Sequence, residues 1–171
     1  AGALSRRTEG MEYPQYTPDF IKLAESYRAK GIRVTKKEEI AAAFEEAKKG
    51  KTVSMICSGD AGVYGMAGLM YEVGKKYPEV ELEIVPGVTA ALGGAAVLGA
   101  PLIHDFCLIS LSDLLTPWEK IEARLLGASQ ADFVICLYNP SSKKRHDYLQ
   151  KACDLMMQYK SPETVCGTEN G

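Results

Sequence analysis

The chain has 171 residues and a formal net charge of −2, and hydrophobic residues make up 46% of it. A chain of this length buries about 70% of its unfolded surface, which is enough for the core of one domain, or of one domain and part of another. The small net charge argues against a nucleic-acid partner, and the charge-free stretch from Val85 to Ile103 holds too many Gly, Pro and Ala residues to be a membrane span.

The first half of the chain opens with a polar, irregular segment at residues 1–16. Thr17 followed by Pro18 predicts the N-cap and first turn of a helix that Gly31 ends. The pattern Thr35-Lys36-Lys37-Glu38 is a capping box and predicts the start of a second helix, which ends at Gly50. These signals predict two helices before the first strongly apolar segment.

Apolar or alternating segments along the chain predict strands, and helical periodicity lies between them. The expected strands are Ile32–Thr35, Val53–Cys57, Glu81–Val85, Phe106–Ser110, Phe133–Tyr138 and Thr164–Cys166. The expected helices begin near Val63, near Val88, at a second capping box (Thr116–Glu119), and after the Asn139-Pro140-Ser141 turn. This alternation with short connections predicts an α/β fold, a mostly parallel sheet flanked by helices.

Small-residue turns follow several of these strands. The turns are Ser58–Gly62, Pro86–Ala90 and Asn139–Ser142, with Leu111–Thr116 as a possible border. Because loops at the carboxyl ends of parallel strands meet at one edge of a sheet, we expect one shared pocket there. Asp60 would repel a phosphate and suit a cationic or hydroxyl-rich ligand.

Several polar residues have both a structural and a functional interpretation. Thr89 fits a plain helix N-cap as well as a site residue. Gly93 and Gly94, inside the predicted helix, indicate close approach of another backbone. Lys143, Lys144 and Arg145 fit a solvated turn, or a patch that binds a polycarboxylate or phosphate. His104, next to Asp105, is more typical of a structural histidine than of a ligand.

The five cysteines form no C-x-x-C pair, and the two histidines show no metal-ligand spacing. Several cysteines lie in apolar runs, where reduced buried thiols are expected. This usage favours the reducing cytoplasm, and no metal site is expected.

The sequence resembles the tetrapyrrole methylase family. The superfamily pieces are S-G-D-A-G-V-Y-G-M-A-G-L (Ser58–Leu69) and V-P-G-V-T-A-A (Val85–Ala91). Further pieces are similar to the branch that methylates carbon 17 of precorrin-3B or cobalt-factor III. They are L-G-A-P-L-I-H-D-F (Leu98–Phe106), I-S-L-S-D-L-L-T-P-W (Ile109–Trp118) and L-Y-N-P-S-S-K-K-R (Leu137–Arg145).

The resemblance implies an enzyme of cobalamin biosynthesis that methylates a precorrin and contracts its ring. It implies S-adenosylmethionine as methyl donor, S-adenosylhomocysteine as product, a tetrapyrrole substrate, a cytoplasmic location and a homodimer. It assigns donor contacts to Ser58, Gly59, Asp60, Val63, Thr89, Ala90 and Asn139. The carboxylates of the substrate would suit Lys143, Lys144 and Arg145. Candidates for proton transfer are His104, Asp105, Ser110 and Asp113, with no choice among them.

The chain departs from the family pattern in two places. Ala61 stands where the family has a proline, which should soften the loop. The family's opening G-x-G-P-G loop has no counterpart in residues 1–50, and little of its second domain follows.

We therefore expect residues 17–140 to form the first α/β domain, and 141–171 to hold a connecting helix and the start of a truncated second domain. These 171 residues alone should show weak or no activity. The alternatives are another precorrin methylase of the family, or an inactive fragment that only binds ligand or dimerises.

Overall fold

The computed structural model describes residues 18–36, 39–140 and 146–167, which form a mixed α/β structure with a parallel sheet. In chain order the described elements are α1 (Phe20–Ser26), α2 (Ile40–Lys48), α3 (Ala67–Gly74), α4 (Ala90–Val97), β1 (Phe106–Ser110), α5 (Trp118–Gln130), β2 (Val134–Tyr138) and α6 (Tyr148–Met156). The expected α/β class is confirmed.

The chain divides into two compact units. The described part of the first unit is 18–36, 39–58 and 66–85, and that of the second is 59–65, 86–140 and 146–167. The second unit contains both strands and the turns that the sequence predicted to meet. The domain boundary expected at residue 140 stays a prediction.

The second unit is built on a β1–α5–β2 crossover. The two strands pair in parallel, with Phe106 opposite Val134 and Ser110 opposite Tyr138. A parallel pair needs such a crossover, and the helix covers one face of the sheet. Ile121 and Leu125 of α5 are fully buried against Ile109 of β1. This packing aligns the carboxyl ends of the two strands.

The first unit has its own small core around α2 and α3. Ile40, Phe44 and Met70 are buried together. The ring of Phe44 stacks on that of Tyr77, with 5.0 Å between the centroids. At the end of α2, Gly50 has φ +77°, as expected for a glycine that ends a helix.

The helix caps differ from the sequence predictions because another side chain satisfies the free N–H groups. At α1, Asp19 Oδ1 accepts from the N–H groups of Ile21 and Lys22 at 3.0 and 3.4 Å. Thr17 lies outside the described residues. Ahead of α2, Glu39 accepts from Thr35 N at 2.7 Å, and Glu38 of the predicted capping box lies outside the described residues. The backbone N–H groups that bond Glu39 lower its pKa.

The capping box predicted at the start of α5 is also wrong. The N-cap position is Pro117, and it forms no side-chain cap hydrogen bond. Thr116 lies one residue too early to cap the helix.

Four of the predicted strands are not strands in the described part of the chain, where the sheet has two. They are Ile32–Thr35, Val53–Cys57, Glu81–Val85 and Thr164–Cys166. Ile56 remains 66% exposed, so its segment has the composition of a strand without a neighbour. A strand needs a partner for its backbone hydrogen bonds, and composition does not specify that partner.

Two further packing expectations are corrected. A Cβ added at Gly93 would meet no atom within 4 Å among the described residues, so no backbone closely approaches that glycine. Cys57 and Cys166 are exposed, while Cys107, Cys136 and Cys153 are partly buried and all five thiols are free. Burial raises the pKa of the Cys107 and Cys136 thiols.

Candidate functional site

Two of the predicted turns contact each other directly in the second unit. Gly87 N donates to Asp60 Oδ2 at 2.9 Å. A Cβ added at Gly87 would overlap the carbonyl oxygen of Gly59. Only glycine lets the two backbones lie this close, so Gly87 explains the Pro-Gly pair after the predicted strand.

The Asp60 carboxylate holds this contact together. Its Oδ1 accepts from Gly62 N at 2.7 Å while its Oδ2 accepts from Gly87 N. The N–H of Gly87, and then that of Gly62, lower the pKa of Asp60. Each carboxylate oxygen retains a lone pair, so the charge is oriented by the protein and still available to a ligand.

Thr89 occupies the N-cap position of α4 without acting as a side-chain cap. Instead its Oγ1 lies 2.6 Å from the hydroxyl oxygen of Tyr138. That same tyrosine hydroxyl accepts from Ala91 N at 2.8 Å. The last residue of β2 therefore does the capping that was one of the two sequence interpretations of Thr89.

The carboxyl ends of β1 and β2 are joined by side chains. Asn139 Nδ2 donates to Ser110 Oγ at 3.0 Å. Asn139 has φ +52°, a left-handed conformation that asparagine tolerates better than most residues. This backbone turn directs the asparagine across to the neighbouring strand.

A second tyrosine supports the first. The ring of Tyr64 lies 4.9 Å from that of Tyr138, and its hydroxyl donates to Leu108 O at 2.9 Å. Burial raises the pKa of Tyr64. The ring of Tyr138 is thus held from the side as well as through its hydroxyl.

Together these contacts form one continuous cluster, which we call the loop cluster. Its members are Gly59, Asp60, Gly62, Gly87, Thr89, Ala91, Ser110, Tyr138 and Asn139. Residues of the first two predicted turns contact each other, and the end of β2 contacts Thr89 and Ser110. Ser141 and Ser142 of the third predicted turn lie outside the described residues. The cluster offers a fixed carboxylate, bare glycine backbone and several hydroxyl and amide groups.

The other predicted donor-contact residues flank the loop cluster. Val63 N donates to the carbonyl oxygen of Asp60 at 3.3 Å. Ala90 is the first residue of α4 and is exposed. Ser58 precedes Gly59 in the chain and belongs to the first unit.

The four candidates for proton transfer are not brought together. Ser110 ends β1, whereas His104 and Asp105 precede it. At the usual strand rise, the two ends of β1 are about 13 Å apart. Asp113 Oδ2 accepts from the Tyr148 hydroxyl at 2.7 Å, which raises the pKa of Tyr148. Only Ser110 belongs to the loop cluster.

Sequence reasoning missed Tyr138, the residue that links Thr89 to the sheet. Its signal was positional, because it is the last residue of an apolar strand and directly precedes Asn139. The basic residues Lys143, Lys144 and Arg145 lie outside the described residues.

Other kinds of site find little support in the described ranges. No group of three or more metal-ligating side chains lies within them, and none of their helices could span a membrane. A shallow depression between α5 and α6 is lined by none of the predicted site residues.

The family model of the tetrapyrrole (corrin/porphyrin) methylases matches residues 4–170. A probable cobalt-factor III C(17)-methyltransferase of Salmonella typhimurium is 54% identical over 131 residues, 76% of this chain and 54% of that protein. A precorrin-3B C(17)-methyltransferase of a Sinorhizobium species is 47% identical over 143 residues, 81% of this chain and 54% of that protein. The chain thus spans about half the length of these relatives.

A solved methyltransferase structure is also similar to this chain in fold and in sequence. The crystal structure of the methyltransferase CobJ matches with a TM-score of 0.68 and 38% sequence identity. The match covers 78% of this chain and 57% of the CobJ chain.

Proposed function

The chain belongs to the tetrapyrrole (corrin/porphyrin) methylase family, and on that premise we propose that it serves the methylation of carbon 17 of a precorrin or cobalt-factor III in cobalamin biosynthesis. The reaction includes contraction of the ring. The relatives named for this activity are the support for the substrate class, and the loop cluster is the support for the donor site.

The observation that carries the proposal is the contact of the Asp60 turn with the Gly87 turn. Asp60 carries the only negative charge of its turn and is held by two backbone N–H groups. A fixed carboxylate favours a cation, and S-adenosylmethionine carries a sulfonium and an ammonium group. A phosphate would be repelled from the same place.

S-adenosylmethionine, when bound, supplies a methyl group activated by its positively charged sulfur. The chain's part is positioning, because methyl transfer is an in-line displacement whose rate depends on orientation. Asp60, Thr89 and Asn139 would orient the donor through three separate polar contacts. The bare backbone at Gly59 and Gly87 would let it lie close.

Proton transfer during ring contraction falls to groups near the carboxyl ends of the strands. Ser110 lies in the loop cluster and Asp113 follows it by three residues, so these two are better placed than His104 and Asp105. The carboxylates of the substrate would pair with Lys143, Lys144 and Arg145. The proposal includes S-adenosylhomocysteine as product, a cytoplasmic location and a homodimer.

The donor site is tested by isothermal titration of the full gene-encoded protein with S-adenosylhomocysteine. We expect micromolar binding of this ligand and none of ATP, whose phosphates Asp60 disfavours. Equal affinities for S-adenosylhomocysteine and ATP, or no binding of either, would contradict a donor site at the loop cluster.

The substrate is tested by incubating the same protein with S-adenosylmethionine and defined corrinoid intermediates. Mass spectrometry should find one added methyl group on precorrin-3B or cobalt-factor III. Methylation of a different intermediate alone would reassign the protein within the family.

A further inference from the structure

Tyr138 connects the sheet to the start of α4 through a single oxygen atom. Its hydroxyl lies 2.6 Å from Thr89 Oγ1 and 2.8 Å from Ala91 N. Ala91 is the second residue of α4, and its N–H has no partner within the helix. The tyrosine oxygen therefore accepts one hydrogen bond from the backbone and shares a second with Thr89.

Either hydroxyl could donate the shared hydrogen bond, and the chemistry of the two groups favours donation by Tyr138. A tyrosine hydroxyl has one proton to donate, and its oxygen already accepts from Ala91 N. Within the described ranges, no acceptor other than Thr89 Oγ1 lies in hydrogen-bond reach of Tyr138. If Tyr138 donates to Thr89, the Thr89 proton is free for a third group. A tyrosine hydroxyl is more acidic than a threonine hydroxyl, so Tyr138 is the better donor of the two.

The surroundings keep this arrangement in place. Thr89 is only 7% exposed, so water competes little for the hydrogen bond between the two side chains. The ring of Tyr64 packs at 4.9 Å from that of Tyr138 and restricts its rotation. The N–H of Ala91 also polarises the tyrosine and makes it a stronger donor.

We propose that Tyr138 is a positioning residue, which sets the Thr89 hydroxyl as a hydrogen-bond donor toward an oxygen or nitrogen acceptor of the bound methyl donor. This inference rests on the proposed function, since Thr89 is a donor contact only in that proposal. It adds a direction to the contact, and it gives a part to Tyr138, which is not among the donor contacts that the resemblance implies.

The test compares S-adenosylhomocysteine binding by Tyr138→Phe, Thr89→Val and the double variant in the full gene-encoded protein. Each single variant should weaken binding about five- to tenfold, the size expected for one hydrogen bond. The double variant should bind no more weakly than Thr89→Val, because both changes remove the same interaction. Additive losses would overturn the inference.

Tyr64→Phe is the matched control. It removes a tyrosine hydroxyl from the same ring pair, and with it the bond to Leu108 O, without touching Thr89. Its affinity should equal that of the wild type even if its midpoint of thermal unfolding falls. Equal losses of affinity for Tyr64→Phe and Tyr138→Phe would mean that Tyr138 acts only through stability.

A second pair of variants covers the case in which Tyr138→Phe does not fold. Thr89→Ser retains a hydroxyl and should keep the wild-type affinity, whereas Thr89→Val should show the weakened affinity given above. Equal affinities of the two would contradict the inference. If the wild type itself binds no S-adenosylhomocysteine, the proposed function fails and this inference fails with it.

Discussion

At the scale of single residues, the loop cluster depends on the charge of Asp60. Its carboxylate joins two turns through the N–H groups of Gly62 and Gly87. These bonds lower its pKa below the usual 3.8. A carboxyl group with a lowered folded-state pKa stabilises the protein above its usual pKa, and this stabilisation is lost as pH falls through the lowered value.

We predict that Asp60→Asn lowers the midpoint of thermal unfolding by a few degrees at pH 7, because the amide replaces a charged acceptor. The difference from the wild type should shrink as the pH falls below 3.8, where the wild-type carboxyl begins to take up its proton. Calorimetry across this pH range measures the difference between the two unfolding midpoints.

Asp154→Asn is the control for Asp60→Asn. Asp154 accepts from a side chain, Gln150 Nε2, on the same helix. Its variant should show little change at any pH. An Asp60→Asn deficit that stays constant into acid would show that charge is not the reason for the effect.

At the scale of elements, α5 organises the second unit. Its buried residues Ile121 and Leu125 cover the sheet, and its opposite side is exposed. Gly127 lies on that exposed side, where an added Cβ would meet no described atom within 4 Å. Glycine inside a helix is destabilising when no close contact requires it.

We predict that Gly127→Ala stabilises the protein by up to about 1 kcal/mol, because alanine loses less backbone entropy in a helix. The midpoint of thermal unfolding should rise by about 2–4 °C. The contrasting variant Gly87→Ala should lower it, since its Cβ would overlap the Gly59 carbonyl. A lowered midpoint for Gly127→Ala together with an unchanged or raised midpoint for Gly87→Ala would contradict the described contacts at both glycines.

At the scale of the whole molecule, the chain spans 54% of the relative from Salmonella typhimurium. Residues 1–50 contain no G-x-G-P-G loop, which the family resemblance places beside the donor. The loop cluster accounts for contacts on one side of a donor only. A ligand held from one side loses much of its binding free energy, because affinity depends on burial from several directions.

We predict that the 171 residues alone bind S-adenosylhomocysteine more weakly than micromolar. The full gene-encoded protein, titrated side by side, is the reference. Micromolar binding by the 171 residues would show that the loop cluster suffices by itself.

Local sequence patterns were enough for the features that depend on neighbouring residues. The β1 and β2 segments stand where apolar runs predicted them, within one residue. The α/β class and the family membership are confirmed as well. Helical periodicity, apolar runs and turn residues carry these features because each reflects the preferences of a short stretch of backbone.

The details of the site came from the tertiary structure. The sequence predicted that Asp60, Thr89 and Asn139 lie at one edge. It left Thr89 open between a helix N-cap and a site residue, and it gave Tyr138 no part in the site. It also predicted strands such as Val53–Cys57 that have no ladder partner in the described chain.

One physical reason explains both the missed role of Tyr138 and the predicted strands that have no partner. A sequence pattern records what a residue prefers. The sequence by itself therefore determined the class of fold, the positions of β1 and β2, and the family. Which hydroxyl meets which N–H, and which strand finds a neighbour, depends on groups brought together from distant positions. Tyr138 is 49 residues from Thr89, and only tertiary packing brings the start of α4 to the end of β2.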